Sequence, residues 1–558
     1  MLQRMRWMIP LAVLTFQAEP ALADVLTDWN EKTVAFVTSR LAPAAGDRVV
    51  AMVQIAMFDA INSIERRYRP YLVQLPATTT MSREAAAAVA ALPRVPLAAE
   101  TTGRRFIVND ASRLNPTPVY RHWIIGTDEQ SFFIERLRQE LKDAVLAKRP
   151  VAVAAARHSM GGQSIPRDGT AITMQTFRCE PDTRAKTYLV DAGTRWHQVI
   201  STLDPLGFSP AVMQSNADFG VASTFCVNAH GRPVPYGPFG STVRSFKLML
   251  ADGTIVTCSR TENSELFGLA MGGYGYFGII LELEVDMVAN LLLQPAFEAM
   301  PAEVFAQKFT DAIDGDAGVK MAYGRLNVDR ARFFREALMI TYRALPTPAD
   351  GLPKATTGSG VLTSISRDLY RAQVGSEMAK RARWFAETVV NPAMTSGIAT
   401  RNSLMNEPVS NLASDDRSHT DILHEYFVPV DRFPEFLQAC REIIPEKMVE
   451  FLNVTLRYVG ADATSVMAYA PQRRIAAVMS FSQAITPEGE AEMLQLTEAM
   501  IDRMIAIGGC FYLPYRLHAR RDQVEWAYWN TARFVEKKLH YDPGLLFRNA
   551  MWQAYFAP

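Results

Sequence analysis

Cysteine is scarce: five of 558 residues, Cys179, Cys226, Cys258, Cys440 and Cys510, scattered singly. That count and spacing exclude a disulfide-stapled scaffold and a cysteine-based metal site. The five read as core residues, with one disulfide left open in an oxidising compartment. An excess of either charge is also missing, since 58 Lys and Arg face 58 Asp and Glu. Without a basic face or an arginine-rich arm, nothing draws the chain to nucleic acid or to an anionic membrane surface. No uncharged apolar run reaches the roughly 20 residues that a membrane-spanning helix needs. No metal is expected.

What remains is a globular composition, 49% hydrophobic and 21% charged, with length for about three or four domain-sized units. Arg4 and Arg6 precede the apolar stretch Trp7 to Phe16, and Ala21-Leu22-Ala23 supplies small residues for cleavage. Residues 1–23 therefore read as a secretory signal peptide, which places the mature protein in the periplasm or outside the cell. The two arginines are not adjacent, so export after folding is not supported. Residues 24–102 read as a helical segment, with apolar residues at helical spacing over Val49 to Leu72 and an alanine-rich run over Arg83 to Ala91.

The chemistry begins at Val151. The run Val151 to Ala155 has the small and β-branched residues of a buried strand, and it leads into Arg157-His158-Ser159-Met160-Gly161-Gly162-Gln163-Ser164. The glycine pair lets backbone N–H groups approach a phosphate closely. An imidazole has no use in such a loop unless the ring does chemistry or merely bonds the strand end. Asp128 to Leu146 has the pattern of an amphipathic helix, with Asp128 as a cap and Phe132, Phe133, Leu137, Leu141 and Val145 on the packing face. Ala251-Asp252-Gly253-Thr254 reads as a turn between two strands. Gly275 to Gly278 runs directly into Ile279 to Val285, which alternates like a half-buried strand, so no helix follows the glycines as a dinucleotide-binding Rossmann fingerprint requires.

Four segments in this order resemble the p-cresol methylhydroxylase/vanillyl-alcohol oxidase superfamily, to which cytokinin dehydrogenases, alditol oxidases and decaprenylphosphoryl-ribose oxidases belong. They are the loop at Arg157, Asp191 to Trp196, Val221 to Gly231, and Gly272 to Ile280. The resemblance implies an α+β fold: a two-subdomain FAD-binding domain over 103–290, an antiparallel-sheet substrate or cap domain over 291–505, and a C-terminal segment, 506–558, returning to the flavin domain. It implies FAD as cofactor, held by the residues of the first loop, by Ser215 and Gly220, by Ala222, Ser223, Val227, Asn228, His230 and Gly231 in the segment Val221 to Gly231, by Gly278, Ile279 and Ile280, and by Tyr512. His158 is the residue to which such a flavin would be bonded. Ala222-Ser223 replaces the usual glycine pair.

In the cap, His424 to Pro429 and Leu452 to Val459 resemble the two strands that face the flavin. Alternation sends Glu425 and Phe427 one way and His424 and Tyr426 the other; the resemblance puts Glu425 and Arg457 on the flavin side, the alternative being a salt bridge between the two. Gly508 to His518 resembles the family's closing segment, with Tyr515 at a position usually held by lysine. Glu425, Tyr515 and His518 are thus candidates to accept or polarise a hydroxyl proton, and Arg457 and Arg516 to stabilise negative charge. The implied activity is oxidation of the CH–OH group of a polyol, sugar or related alcohol, by hydride transfer to flavin N5, with oxygen or another electron acceptor. The alternative is a non-catalytic flavin- or ligand-binding remnant. Residues 25–95 also resemble the leading helices of vanadium haloperoxidase and type 2 phosphatidic-acid-phosphatase-like proteins, but the anion-site motifs of those families are missing, which disfavours a vanadate or phosphatase activity.

Overall fold

Strand pairing begins with a short antiparallel hairpin, β1 (Phe106–Val108) with β2 (Thr117–Val119). A three-stranded parallel sheet follows, in the order β3 (Arg121–Ile125), β5 (Thr170–Met174), β4 (Val151–Ala154). The computed structural model describes residues 106–127, 133–348, 351–357, 370–394, 397–408, 416–445 and 450–558, all within one compact unit, Arg105–Pro558. The expected signal peptide, the helical segment 24–102 and the capping Asp128 lie outside the described residues.

Parallel strands need a long crossover, and the helix Phe133–Leu146 supplies it between β3 and β4. The helix buries Phe133, Leu137, Leu141 and Ala144, while Val145 is 52% exposed. This corrects the expected face by one position: from Leu141 the inward stripe continues at i+3, and Glu140 is also drawn inward, where it accepts from Thr170 at 2.6 Å and pairs with Arg121 at 2.7 Å.

The second sheet is antiparallel, ordered β10 (Ile255–Ser259), β9 (Val243–Met249), β11 (Ile279–Ala289), β7 (Thr187–Asp191), β6 (Cys179–Asp182), with β8 (Phe208–Pro210) paired to the far end of β11. β9 and β10 close through the turn read from the sequence, with Gly253 at φ +85°. β11 begins with three buried residues, Ile279 to Leu281, and from Leu281 to Val288 alternates buried and half-buried positions, as a strand with one packed face must. Gly278 just before it has φ +152°, and a Cβ there would stand 2.5 Å from the Met249 carbonyl oxygen. Only glycine fits that approach.

The third sheet has eight antiparallel strands, in the order β15 (Ala399–Thr400), β12 (Leu292–Pro301), β14 (Glu336–Ala344), β13 (Val319–Leu326), β17 (Glu450–Val459), β18 (Arg474–Ala484), β16 (His419–Pro429), β19 (Cys510–Phe511). One apolar core runs through the second and third sheets and the C-terminal helices.

The C-terminal segment returns to the first two sheets. Val151 N–H donates to the Leu546 carbonyl at 2.8 Å, and Tyr512 OH to the Val227 carbonyl at 2.7 Å. Lys538, fully buried on the helix Thr531–Tyr541, donates to the Tyr276 carbonyl at 2.7 Å and pairs with Asp542. The five cysteines are all free. Among the described residues, no helix is long and apolar enough to cross a membrane, and no group of three or more His, Cys, Asp or Glu could hold a metal ion.

Candidate functional site

A cavity of about 860 Å³ opens between the ends of the parallel strands, the second sheet and one face of the third. Its walls are the segment Val151–Met160, the helix Val221–Cys226 with the residues flanking it, Tyr274 to Ile280, the cavity face of β16 and β18, and Tyr512 to Tyr515.

The first loop owes its shape to the C-terminal segment. Gln163 Nε2 donates to the Leu513 and Tyr515 carbonyls at 2.9 and 2.8 Å, and Met160 N–H to the Pro514 carbonyl at 3.0 Å. A Cβ on Gly161 would stand 2.6 Å from the Tyr515 carbonyl oxygen. This glycine exists to let two chain segments meet. The N–H of Gly161 is taken by Gln163 Oε1 at 2.8 Å and that of Gly162 by Asp110 Oδ2 at 2.7 Å, so neither is free for the phosphate contact that the glycine pair suggests. Arg157, His158, Ser159, Met160, Gln163 and Ser164 do reach the cavity.

His158 lies with its ring stacked on Phe219, centroids 4.3 Å apart. Burial, and then the charge of Arg195, push its pKa below the ordinary imidazole value, with Asp218 opposing. Its ring is therefore neutral at pH 7.

In and just before the segment Val221 to Gly231, Ser215, Gly220, Ala222, Ser223, Val227 and His230 line the cavity. Asn228 and Gly231 do not. Asn228, at φ +46°, donates to Asp462 and accepts from Gly240 N–H, each at 2.9 Å, and Gly231 packs against the Met213 carbonyl. Gly278, Ile279, Ile280 and Tyr512 all line the cavity.

The third sheet brings Glu425 and Arg457 to the same face. Glu425 on β16 pairs across β18 at Val478, whose other neighbour is Thr455, and Arg457 stands two residues beyond on β17. Because β18 separates them, they form no ion pair with one another. Glu425 is buried and holds Nε2 of His230 on Oε1 and the Tyr515 hydroxyl, at 3.0 Å, on Oε2. Burial, and then the charge of Glu425, raise the Tyr515 pKa, so the phenol stays protonated and donates. Arg457 has its pKa lowered by burial first, with Glu425 opposing and Arg232 adding to the fall.

Two candidates are not brought to the cavity. Arg516 pairs with Glu490 and donates to Asn115 Oδ1 and the Met160 carbonyl, each at 2.9 Å, supporting the first loop from behind. His518 is buried between Glu490, at 2.8 Å, and Thr497, at 3.0 Å. Conversely, sequence reasoning passed over Asp110, Gln214, Phe219 and Asn549, all in the cavity wall. Asp110 could have been found: Asp110-Ala111-Ser112 is an Asx-turn sequence, and Asp110 Oδ1 accepts from Ser112 N–H at 3.1 Å.

Buried polar groups are nearly always satisfied. Among the described residues, six of the buried side-chain atoms without a partner belong to residues lining this cavity, Arg157 Nε and Nη2, Gln214 Nε2, Ser215 Oγ, His230 Nδ1 and Arg457 Nε, while others, such as Tyr188 Oη and Trp552 Nε1, lie elsewhere in the fold. Such a set fits a long ligand with polar groups at several places along it.

Residues 134–259 match the model of the FAD binding domain family. The chain carries an FAD-binding domain. Relatives similar to it include an uncharacterised oxidoreductase from the fasciation locus of Rhodococcoides fascians, 27% identical over 27% of this chain and 35% of the relative. Cytokinin dehydrogenase 1 of Arabidopsis thaliana is 30% identical over 25% of each chain. Cytokinin dehydrogenase 3 of Oryza sativa subsp. japonica is 30% identical over 29% of this chain and 31% of the relative. The chain thus matches between a quarter and about a third of the length of these relatives. FAD is the cofactor of this domain, and the unpartnered donors of Arg157, Gln214 and Ser215 suit its oxygen-rich pyrophosphate and ribityl parts.

Proposed function

We propose that this protein is an exported FAD-dependent oxidoreductase that oxidises the CH–OH group of a polyol, sugar or related alcohol, the flavin bound in the cavity and the alcohol between it and the third sheet. The first two sheets and the C-terminal segment would hold the cofactor, and the third sheet would act as the cap. When bound, FAD supplies a two-electron acceptor that takes hydride at N5.

The observation that carries this reading is Glu425, a buried carboxylate facing the cavity with both oxygens fixed by donors. Each oxygen keeps a second lone pair, so Glu425 can still accept the proton of a substrate hydroxyl. Tyr515 fixes its orientation. With Nε2 protonated, His230 donates to the carboxylate and leaves Nδ1 as a buried acceptor without a partner. Arg457 sets a positive charge beside the alkoxide that develops as the proton leaves. His158, neutral and in the cavity wall, is the residue we assign to a covalent bond with the flavin, as a ring nitrogen can attack only when unprotonated. Oxygen or another acceptor would reoxidise the flavin.

The test is Glu425→Gln. It should retain the flavin absorption bands while the rate of flavin reduction by an active alcohol falls by roughly 10²–10⁴, the usual worth of a general base. A variant that reduces its flavin at the wild-type rate would remove Glu425 from the chemistry.

A further inference from the structure

The positive charge around Glu425 exceeds what the protein neutralises. Arg325 on β13 pairs with Thr455 and so shares the face and the row of Glu425; Arg457 stands one row on. Arg232 lies close enough to Arg457 to depress its pKa, as does Arg325, and both guanidinium groups lie near the ring of Tyr323, at 5.8 and 5.3 Å. Among the described residues none of the three arginines makes an ion pair. Glu387, a carboxylate near Arg325, is paired with Arg383 at 2.8 Å. Arg232 is occupied by the Leu404 carbonyl, at 2.6 Å, and Arg325 by Asn453 and Thr455. Only Arg457 is open to the cavity. A guanidinium drawn out of bulk water, as the half-buried Arg457 is with its Nε enclosed and without a partner, is costly unless an anion compensates it, and Glu425 has its two oxygens already turned to His230 and Tyr515. Between Glu425 and Arg457 the intervening strand presents Val478 and Ala476, side chains short enough to leave a floor for a small ligand.

We infer that the substrate is an anionic alcohol, whose carboxylate or phosphate sits on the guanidinium fork of Arg457 while its carbinol lies at Glu425. A planar fork matches either group with two parallel hydrogen bonds. In the reaction the carbinol C–H bond breaks with its electron pair passing to FAD, the O–H proton passes to Glu425, the C–O bond becomes a carbonyl, and the anionic group is unchanged. This inference rests on the alcohol-oxidation reading for its chemistry, but the anion site can be tested without turnover.

The full chain carrying FAD is compared on gluconate against glucitol, and on glycerate and glycerol 3-phosphate against glycerol, following flavin reduction anaerobically. The anionic member of each pair should be favoured by about tenfold or more in kcat/KM, and glycerate against glycerol 3-phosphate decides between carboxylate and phosphate. Calorimetry with 2-hydroxyisobutyrate, which has no carbinol hydrogen to lose, should show saturable binding that its neutral amide lacks. Arg457→Met should abolish that binding and bring the acid-to-neutral ratio close to one, whereas Arg457→Lys should retain weakened binding. Equal or better use of the neutral alcohols, no binding of 2-hydroxyisobutyrate, or an acid preference that survives in Arg457→Met would each overturn the inference. If Arg457→Met does not fold, the acid and amide comparison on the unaltered protein decides. Arg457-dependent binding of 2-hydroxyisobutyrate without flavin reduction by any alcohol would instead refute the oxidation reading and leave the anion site standing.

Discussion

His158 and Glu425 show what a single residue declares in a sequence and what it withholds. An imidazole after a strand and before a glycine pair is chemically conspicuous, and it lies in the cavity wall against Phe219. The glycines beside it were less legible, because whether an N–H is free depends on Asp110 and Gln163, partners no local pattern names. His518 and Arg516 belong to the closing segment from which catalytic candidates were read, yet both turn to Glu490, a residue of a distant helix. We expect His158→Ala to bind FAD reversibly: on acid precipitation all its flavin should stay in the supernatant, while the unaltered protein keeps it in the pellet. Flavin wholly in the supernatant for both would make His158 a packing residue.

A second prediction at this scale concerns pH. His424 is fully enclosed between Tyr426, Phe481 and Thr497, with His518 beyond, and burial, then the His518 charge, lower its pKa from 6.5 to about 3. Between those values the unfolded chain binds a proton there that the folded chain does not, so stability falls as pH drops from 6.5 toward 3. Glu490 adds a further loss only below 4.5: burial raises its pKa, but bonds from His518 and Arg516 outweigh that and hold it down to about 2. Melting temperature against pH should therefore be flatter for His424→Asn than for the unaltered protein between pH 6.5 and 4.5. His122 and His158, also lowered by burial, keep some slope in both. Identical slopes would show that His424 is protonated in the folded state.

At the scale of elements, period carried most of the reading. Strict alternation made Ile279 to Val285 a strand and separated Glu425 from His424, since those signals depend only on backbone geometry. The packing face of the helix Phe133–Leu146 was read one residue off at its end, where Val145 and Ala144 compete and only the neighbouring sheet decides. The closing helix carries what the sequence hid best. Lys538 looks like one of two solvated lysines, but it is buried, its pKa brought to about 8 by burial against the pull of Asp542. Asp542 in turn accepts from the N–H groups of Leu546 and Phe547, each at 2.9 Å, fixing the turn that leads to the Val151 contact. Lys538→Met should cost roughly 3–5 kcal/mol, the usual result of leaving one buried charge without its partner, read as a lower denaturant midpoint. Loss of less than about 1 kcal/mol would place Lys538 in water.

Across the whole molecule, the order of motifs announced which segments meet, but not the register that makes them a site. Four segments far apart in the chain converge on one cavity, and the return of residues after Gly508 to the first loop follows their order in the sequence. The charge imbalance on the third sheet is a product of pairing, because Arg325, Arg457 and Glu425 share a face only once β13, β17, β18 and β16 are in register. The most direct test of the account is the visible absorption spectrum of the purified full chain, recorded without oxygen before and after an alcohol is added. The account predicts the two bands of oxidised flavin, bleached by an alcohol bearing a carboxylate or phosphate and restored by an electron acceptor. A protein that takes up FAD but keeps both bands unchanged with every alcohol, neutral or anionic, would contradict it.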